Sequence, residues 1–453
     1  MKGRRTVCAV SIDPTPRRGA VVLLCAVQFV DVLGVTSATT AVPEMIRALG
    51  ASPSAAALII TPYAMFFGGL LVLGARLGDR FGHRRILLTG IALFVVVSIA
   101  GSLSTDVLEL MLTRALLGAA AAVSVPSSLR LLLAAAPEGS ARVSALAGWS
   151  AAGAAAGAAG FVVGGLVTQL LDWRAVFWIN APIGLLLAAG VMVYVRPLAP
   201  IDSGRRLDVL GATLLILAVM GVVLGATSLE RPDTRGAGLA LLVLAVVFGA
   251  AFAFRQRRAR EPLIPAAAFR SPPLRTGTLV SFVNTATTSS AVVLATLELQ
   301  NELGLSPLAA GLSLVWLSLA VIGGAALTKP LAARQRSEVI GALGLATIAL
   351  GNVVLSVTVG TVAGILVGTI VIGSGLGLAS VAGTSIGTAV PGSLAGVASG
   401  VLNTGAQLGS AIGIAVVVLI ATTTSPAAGW GVAAVAATAT AAWLATRRVS
   451  GHS

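Results

Sequence analysis

Between Gly19 and Thr446 the chain is cut into stretches of about 20 apolar residues, separated by short segments that carry nearly all of its charge. A run of that length, coiled at 1.5 Å per residue, matches the roughly 30 Å of hydrocarbon in a bilayer. Backbone N–H and C=O groups find no water there, so spanning segments of this kind have to be helices. The spacing predicts spans near 19–42, 55–75, 86–104, 107–129, 143–169, 175–195 and 207–228. Others follow near 236–254, 276–299, 309–331, 338–358, 360–382, 393–421 and 428–446, about fourteen in all. Composition agrees. The 453 residues are 57% hydrophobic and only 10% charged, whereas a soluble domain needs about 25% charged residues to cover its surface. The 53 glycines let helix backbones approach closely in lipid, where packing holds helices together.

The net charge of +14 would suit a nucleic-acid binder, but the basic residues stand in short clusters between apolar runs, as topology-setting loops do. Nucleic acid is therefore not an expected partner. Cys8 and Cys25 are too few for a disulfide framework or a metal site, and His83 and His452 are the only histidines. No H-E-x-x-H pattern occurs, and the single G-x-S-x-G match, Gly383 to Gly387, sits in an apolar region of a chain whose two histidines cannot serve as its base, so no metal, cofactor or enzymatic centre is expected. The first apolar run is long enough to span and is followed by many more, which argues against a cleavable signal peptide.

Arginine placement fixes an expected topology. With Lys2, Arg4, Arg5, Arg17 and Arg18 in the cytoplasm, every second loop is basic: Arg76 to Arg85, Arg130 and Arg142, Arg196 to Arg206, Arg255 to Arg275, and Lys329 to Arg336. Arg447 and Arg448 close the chain on the same side, while Arg47, Arg174, Arg231 and Arg235 fall on the other. The expected organisation is a tail over 1–18, a six-helix bundle over 19–196, and an extra hairpin with a cytoplasmic linker over 197–275. A second six-helix bundle over 276–446 and a tail over 447–453 complete it. The linker carries Pro262, Pro265, Pro272 and Pro273. Two such bundles suggest a path between them.

Between the second and third spans lies Gly74-Ala-Arg-Leu77-Gly-Asp79-Arg80-Phe-Gly82-His-Arg84-Arg85, in which a carboxylate sits among arginines at a helix end and Gly82 permits a tight turn. A plain positive-inside loop would explain the arginines but not the ordered Asp and Gly. This stretch resembles the G-x-L-x-D-R-x-G-x-R-R loop of the major facilitator superfamily, with Ala75 in place of the first glycine. Trp173-Arg174-Ala-Val-Phe177-Trp-Ile-Asn180-Ala-Pro182-Ile-Gly184 is similar to the W-R-x-x-F-x-x-N-x-P-x-G start of span six in fourteen-span drug:proton antiporters. Gln300 to Gly311 and Gly396 to Gly409 resemble that group's connection before span ten and its span thirteen. The resemblance covers about Val21 to Thr446. It implies an all-α membrane fold, the major facilitator fold of two six-helix bundles plus a central helix pair. It also implies a conformational latch at Asp79, Arg80, Gly82, Arg84 and Arg85. The matching loop of the second half, Lys329 to Arg336, lacks the acid and the glycine.

Three further positions depart from the family pattern. Gly34 stands where the first-span motif carries an acid, and Asp31, three residues earlier on roughly the same helix face, is the candidate substitute. Leu117 replaces the glutamine of the R-x-x-Q-G motif that begins at Arg114, and Phe161 replaces the proline of the antiporter motif in span five. Gly157, Gly160, Gly164 and Gly165 of that span are expected at the bundle interface. An ionised group at mid-membrane costs at least about 2.5–3.5 kcal/mol, so Asp31 and Arg114 each need a partner or a purpose. In the family's fold spans one and four are neighbours, and the two residues are expected to pair as the proton-coupling site; a permanent ion pair that only fixes packing is the alternative. Glu298, near the end of span nine, reads either as solvated or as a proton or cation site. Gln28, Asn180, Asn284, Asn403 and Gln407, with Glu298, are candidates along the substrate path, though amides also tie helices together in lipid.

The resemblance implies a proton-coupled exporter of small lipophilic or weakly cationic compounds, working as a monomer in a bacterial plasma membrane, with protons as the coupling ion. A specific metabolite transporter of the same fold and a non-transporting membrane sensor are the alternatives.

Overall fold

A computed structural model describes residues 18–446 apart from 138, 199, 201–207, 230–231, 260–261 and 265. Lys2, Arg4, Arg5, Cys8, Arg17, Arg205, Arg206, Arg231, Arg447, Arg448 and His452, used in the topology and composition arguments, lie outside the described residues, as do both tails except Arg18.

Fourteen helices are long and apolar enough to cross a membrane. They are α1 (Arg18–Ala48), α2 (Ala55–Phe81), α3 (His83–Ser102), α4 (Val107–Ala135), α5 (Ser140–Leu170), α6 (Ala175–Tyr194) and α7 (Val209–Leu229). After them come α8 (Pro232–Arg258), α9 (Pro272–Glu302), α10 (Pro307–Ala332), α11 (Ser337–Val357), α12 (Val362–Thr388), α13 (Gly392–Thr423) and α14 (Pro426–Thr446). The protein is a multi-pass membrane protein, and no strand occurs among the described residues. Most helices run past the apolar windows read from the sequence, because polar first and last turns prolong them outside the hydrocarbon. Local chemistry sets several starts: Asp106 accepts the Glu109 N–H at 2.8 Å and Ser306 the Ala309 N–H at 3.3 Å, each capping a helix. Gly82, at φ +93°, makes the one-residue break between α2 and α3 that a side chain would strain.

The two halves repeat one packing scheme. In the first, α1 packs on α5, α2 on α4, and α3 on α4 and α6; in the second, α9 packs on α13, α10 on α12, and α11 on α12 and α14. The main contacts between halves, α2 with α13 and α5 with α10, exchange under the same correspondence. The extra hairpin does not stand apart. Val219, Val223 and Ala226 of α7 fill the groove between Ala64 and Met65 of α2 and Ala411 and Ala415 of α13, while α8 packs chiefly on α7.

The basic loops gather at one end, called here the basic end. Towards the opposite end a single apolar core joins both bundles, including Val42, Met45 and Phe161 of the first and Leu299, Leu314 and Trp430 of the second. At the basic end each bundle has its own core, around Leu24, Leu87 and Val191 in one and Leu345, Ala379 and Leu444 in the other. The halves are thus closed together at one end and independently packed at the other.

On the α2/α13 side the linker bridges them, held by a carboxylate that the sequence reading did not single out. Asp208, with 1% of its side chain exposed, accepts hydrogen bonds from the Gly211 N–H (3.0 Å), Arg255 Nε (3.1 Å), Gln256 Nε2 (3.1 Å) and the Leu263 N–H (3.2 Å). Gln256 in turn accepts the Ile264 N–H at 3.0 Å, and Arg76 of the signature loop donates to the Pro262 carbonyl at 3.4 Å. Burial pushes the Asp208 carboxyl up, but the bonds from Gly211, Arg255 and Gln256 and the charge of Arg255 outweigh it and hold the group below the usual carboxylate range. The sign follows. The native state binds the proton more weakly than the unfolded chain, so this contribution is complete above the unfolded value of about 3.9 and is lost as pH falls through the lower folded value. Asp208→Asn is expected to free the linker at neutral pH, seen as faster amide exchange over 262–264, and the wild type to follow only in strong acid.

Candidate functional site

Asp31 lies on α1, half-buried in the interior of the first bundle, with two small cavities against it. One, of about 30 Å³, is bounded by Val30, Phe94, Ser124 and Gly184 and has room for a water molecule. The other, of about 10 Å³, is shared with Gly34, Tyr63, Arg114, Leu117 and Asn180. The Tyr63 hydroxyl of α2 donates to Asp31 Oδ1 at 2.6 Å. Arg114 of α4, 2% exposed, donates from Nε to the Ile59 carbonyl at 3.2 Å, and its guanidinium carbon stands 4.8 Å from the centre of the Tyr63 ring.

The direct Asp31–Arg114 ion pair expected from the sequence is therefore not made. No contact within 4.0 Å joins them among the described salt bridges; Tyr63 stands between, bonded to the acid by its hydroxyl and covered by the cation on its ring face. The physical reason is that each group is met by α2 instead: the Tyr63 hydroxyl bonds the carboxylate, and the Ile59 carbonyl, one turn earlier on the same helix, accepts from Arg114 Nε. Tyr63 was missed because nothing in one helix's sequence shows which neighbour its aromatic face meets. Asn180, 5% exposed, joins the cluster from α6, so three motif segments and two of the departures, Gly34 and Leu117, converge on one spot.

The other candidates divide. Gln28 lies on α1 beside Gly153 of α5, with its buried Oε1 unpartnered. Gln407 of α13 packs where a Cβ on Gly68 of α2 would stand, and its neighbour Thr404 donates to the Gly68 carbonyl at 2.9 Å; Asn403 is half-buried on the same helix. These three lie on the helices that face across or line the bundle boundary. Asn284 does not: 1% exposed, it donates to Ser380 Oγ at 2.9 Å and ties α9 to α12 inside the second bundle. Glu298 is not solvated but 4% exposed, accepting the Gly360 N–H from the α11–α12 turn.

Of the four glycines expected at the bundle interface, two are there. A Cβ on Gly165 would strike the Pro307 and Leu308 backbone of α10, and one on Gly157 would touch Ser318. Gly160 and Gly164 instead face Thr36 and Ser37 of α1, within the first bundle, because α5 is sandwiched between α1 and α10 and its glycines alternate between them. In the signature loop, Asp79 contacts His83 Nε2 at 3.1 Å, four residues on, rather than the second bundle. Arg84 donates to the Val191 and Met192 carbonyls at 3.4 and 2.6 Å, capping the end of α6, Arg80 lies over the Phe81 ring, and Arg85 is exposed. His83 was given no role in the sequence reading; its spacing of four from Asp79 was the available signal.

Two repeated helical bundles with charged and polar groups held inside their spans define a membrane transport protein. The chain belongs to the Major Facilitator Superfamily, whose model matches residues 24–414, and within it to the fourteen-span drug antiporter group. It is 34% identical over 415 residues to a cephamycin export protein of Amycolatopsis lactamdurans, covering 88% of this chain and 84% of that one. It is 30% identical over 362 residues to the multidrug efflux pump LfrA of Mycolicibacterium smegmatis, covering 79% and 71%. Among solved structures, the POT family transporter PepTSo superposes with a TM-score of 0.69 at 13% identity, over 95% of this chain and 98% of that one, which concerns the fold alone.

Proposed function

We propose that the chain exports small lipophilic or weakly cationic compounds in exchange for protons, by alternating access within one chain. The observation that carries the reading is Asp31, a carboxylate inside a span, bonded to Tyr63 and one ring away from Arg114. A group placed so can take up or release a proton as the packing around it changes, and that change is what transport requires. The relatives named for cephamycin export and multidrug efflux support export as the direction and drug-like molecules as the cargo. The arginine excess supports a cytoplasmic position for the basic end. The described conformation, closed at the far end and separately packed at the basic end, then corresponds to an inward-facing arrangement.

Inverted membrane vesicles test this. Acidifying the vesicle interior is expected to drive uptake of a lipophilic cationic dye, and a protonophore to abolish it. Uptake that ignores the gradient, or never occurs with any of a panel of lipophilic cations and natural products, would overturn the assignment.

A further inference from the structure

A buried carboxylate separate from Asp31 and Asp208 lies at the end where the two bundles are closed. Glu298 is 4% exposed; one oxygen accepts the Gly360 N–H, and the other, Oε2, has no partner. It opens a single π turn, Glu298–Glu302, marked by the Leu303 N–H bonding to the Glu298 carbonyl at 2.9 Å. This is the closing turn of α9, and wider turns of this kind are a common way for a helix to end. The same turn carries Gln300, 5% exposed, whose Nε2 donates to the Thr40 carbonyl of α1 at 2.8 Å. One turn of α9 therefore touches both halves: Glu298 reaches the α11–α12 turn of its own bundle, and Gln300 holds the opposite bundle in the closed position.

Among the described residues no cation pairs with Glu298. From Val339 to Thr446, which covers α12, α13, α14 and all but the first residues of α11, the chain has no ionisable side chain, and neither has α10 before Lys329 at the basic end. On α9 itself the neighbour is Glu302, a like charge. On α1 the nearby ions are Glu44 and Arg47, paired with each other, and on the α5–α6 turn they are Asp172 and Arg174, 3.4 Å apart. A carboxylate with one oxygen bare, no counter-ion and a second carboxylate close by is costly to bury ionised, whereas a carboxylic acid keeps the Gly360 bond and loses the charge.

We propose that Glu298 is a second proton-binding site, occupied when the face away from the basic end is closed and emptied when that face opens to water. This rests on the alternating-access reading given above. The closed state binds the extra proton, so acid on that side favours closure, and rising pH favours opening. In an antiporter fed by protons from that side, the site makes closure follow proton supply, and Gln300, two residues on, passes the change to α1.

The test uses the full-length chain in lipid nanodiscs, with Cys8 and Cys25 replaced by serine and spin labels at Leu171→Cys and Val359→Cys. Both positions are exposed and lie at the closed end, one on each bundle. In the Asp31→Asn background, which removes the other proton site, a longer-distance population is expected to grow between pH 5 and pH 9. With Glu298→Gln added, the protein is expected to keep at pH 9 the closed distribution seen at pH 5. The idea is overturned by a Glu298→Gln protein that opens with pH as its parent does, or by a parent whose distances do not respond to pH. Because distances need no substrate, a failure of drug export would leave this outcome readable, and a flat pH response would leave export untouched.

Discussion

Exchanging Asp31 for asparagine is expected to remove the gradient-driven component of export entirely while leaving a folded protein that still exchanges substrate down its own gradient. Asparagine has the same shape and can still accept the Tyr63 hydroxyl that now lies 2.6 Å from Oδ1. It carries no charge and takes up no proton, so the two ends of the cycle no longer differ at this site. Tyr63→Phe separates the two links in the chain: the ring stays under Arg114, and only the hydroxyl is lost. A hydrogen bond to a charged group contributes about 1.5–3 kcal/mol, so a reduction of about 10- to 100-fold in gradient-driven uptake is expected, at unchanged protein level.

Gly34 offers a sharper check on whether Asp31 replaces the family's missing acid. The two positions are three residues apart, on roughly one face of α1. A Cβ built on Gly34 meets no heavy atom within 4 Å, and the cavity it borders is also lined by Asp31 and Arg114. A β-carbon therefore fits at position 34, and from it a carboxylate is directed towards the cavity that the same cation lines. The double variant Asp31→Asn with Gly34→Asp is expected to recover proton-driven dye uptake in inverted vesicles. If it stays as inactive as Asp31→Asn alone, the acid cannot be moved along the helix and the equivalence of the two positions is wrong.

What could be read from the sequence follows from where the information lies. Spans are legible because lipid demands a continuous apolar run, and each of the fourteen windows became one helix. The signature loop is legible because Gly82 and the arginines are local, chemical and closely spaced. Contacts between helices are another matter. Arg114 could be found as a charge inside a span, but its partner could not, since Ile59 and Tyr63 belong to a helix whose rotation about its axis no periodicity reports. Asp208 passed unnoticed because its four donors come from three separated segments, and Glu298 stayed open between a solvated group and a proton or cation site because it stands near a helix end, where only the packed α11–α12 turn shows that water is excluded. For the same reason the glycines of α5 could be counted but not assigned to a side.

That assignment makes the last prediction possible. Gly164 and Gly165 are adjacent, yet a methyl group on each would meet different halves of the molecule: Ser37 of α1 for the first, the Pro307–Leu308 backbone of α10 for the second. Backbone cannot rotate out of the way as a side chain can, so both helices of the affected pair must move apart. Overpacking of this kind costs about 1–3 kcal/mol. In Gly164→Ala the cost falls on the first bundle in every conformation and is expected to lower thermal stability without favouring either state. In Gly165→Ala it falls only on the conformation in which α5 and α10 are closed, and 1–3 kcal/mol there shifts a two-state balance about 5- to 150-fold towards opening. Thr40→Cys reports the difference, since Thr40 is fully buried at the same closed end, beside Gly311 of α10. A membrane-impermeant maleimide is expected to label it several-fold faster in Gly165→Ala than in either the parent or Gly164→Ala. Equal labelling in all three would mean that the α5–α10 contact does not control the face, and that closure there depends instead on α1 and the π turn of α9.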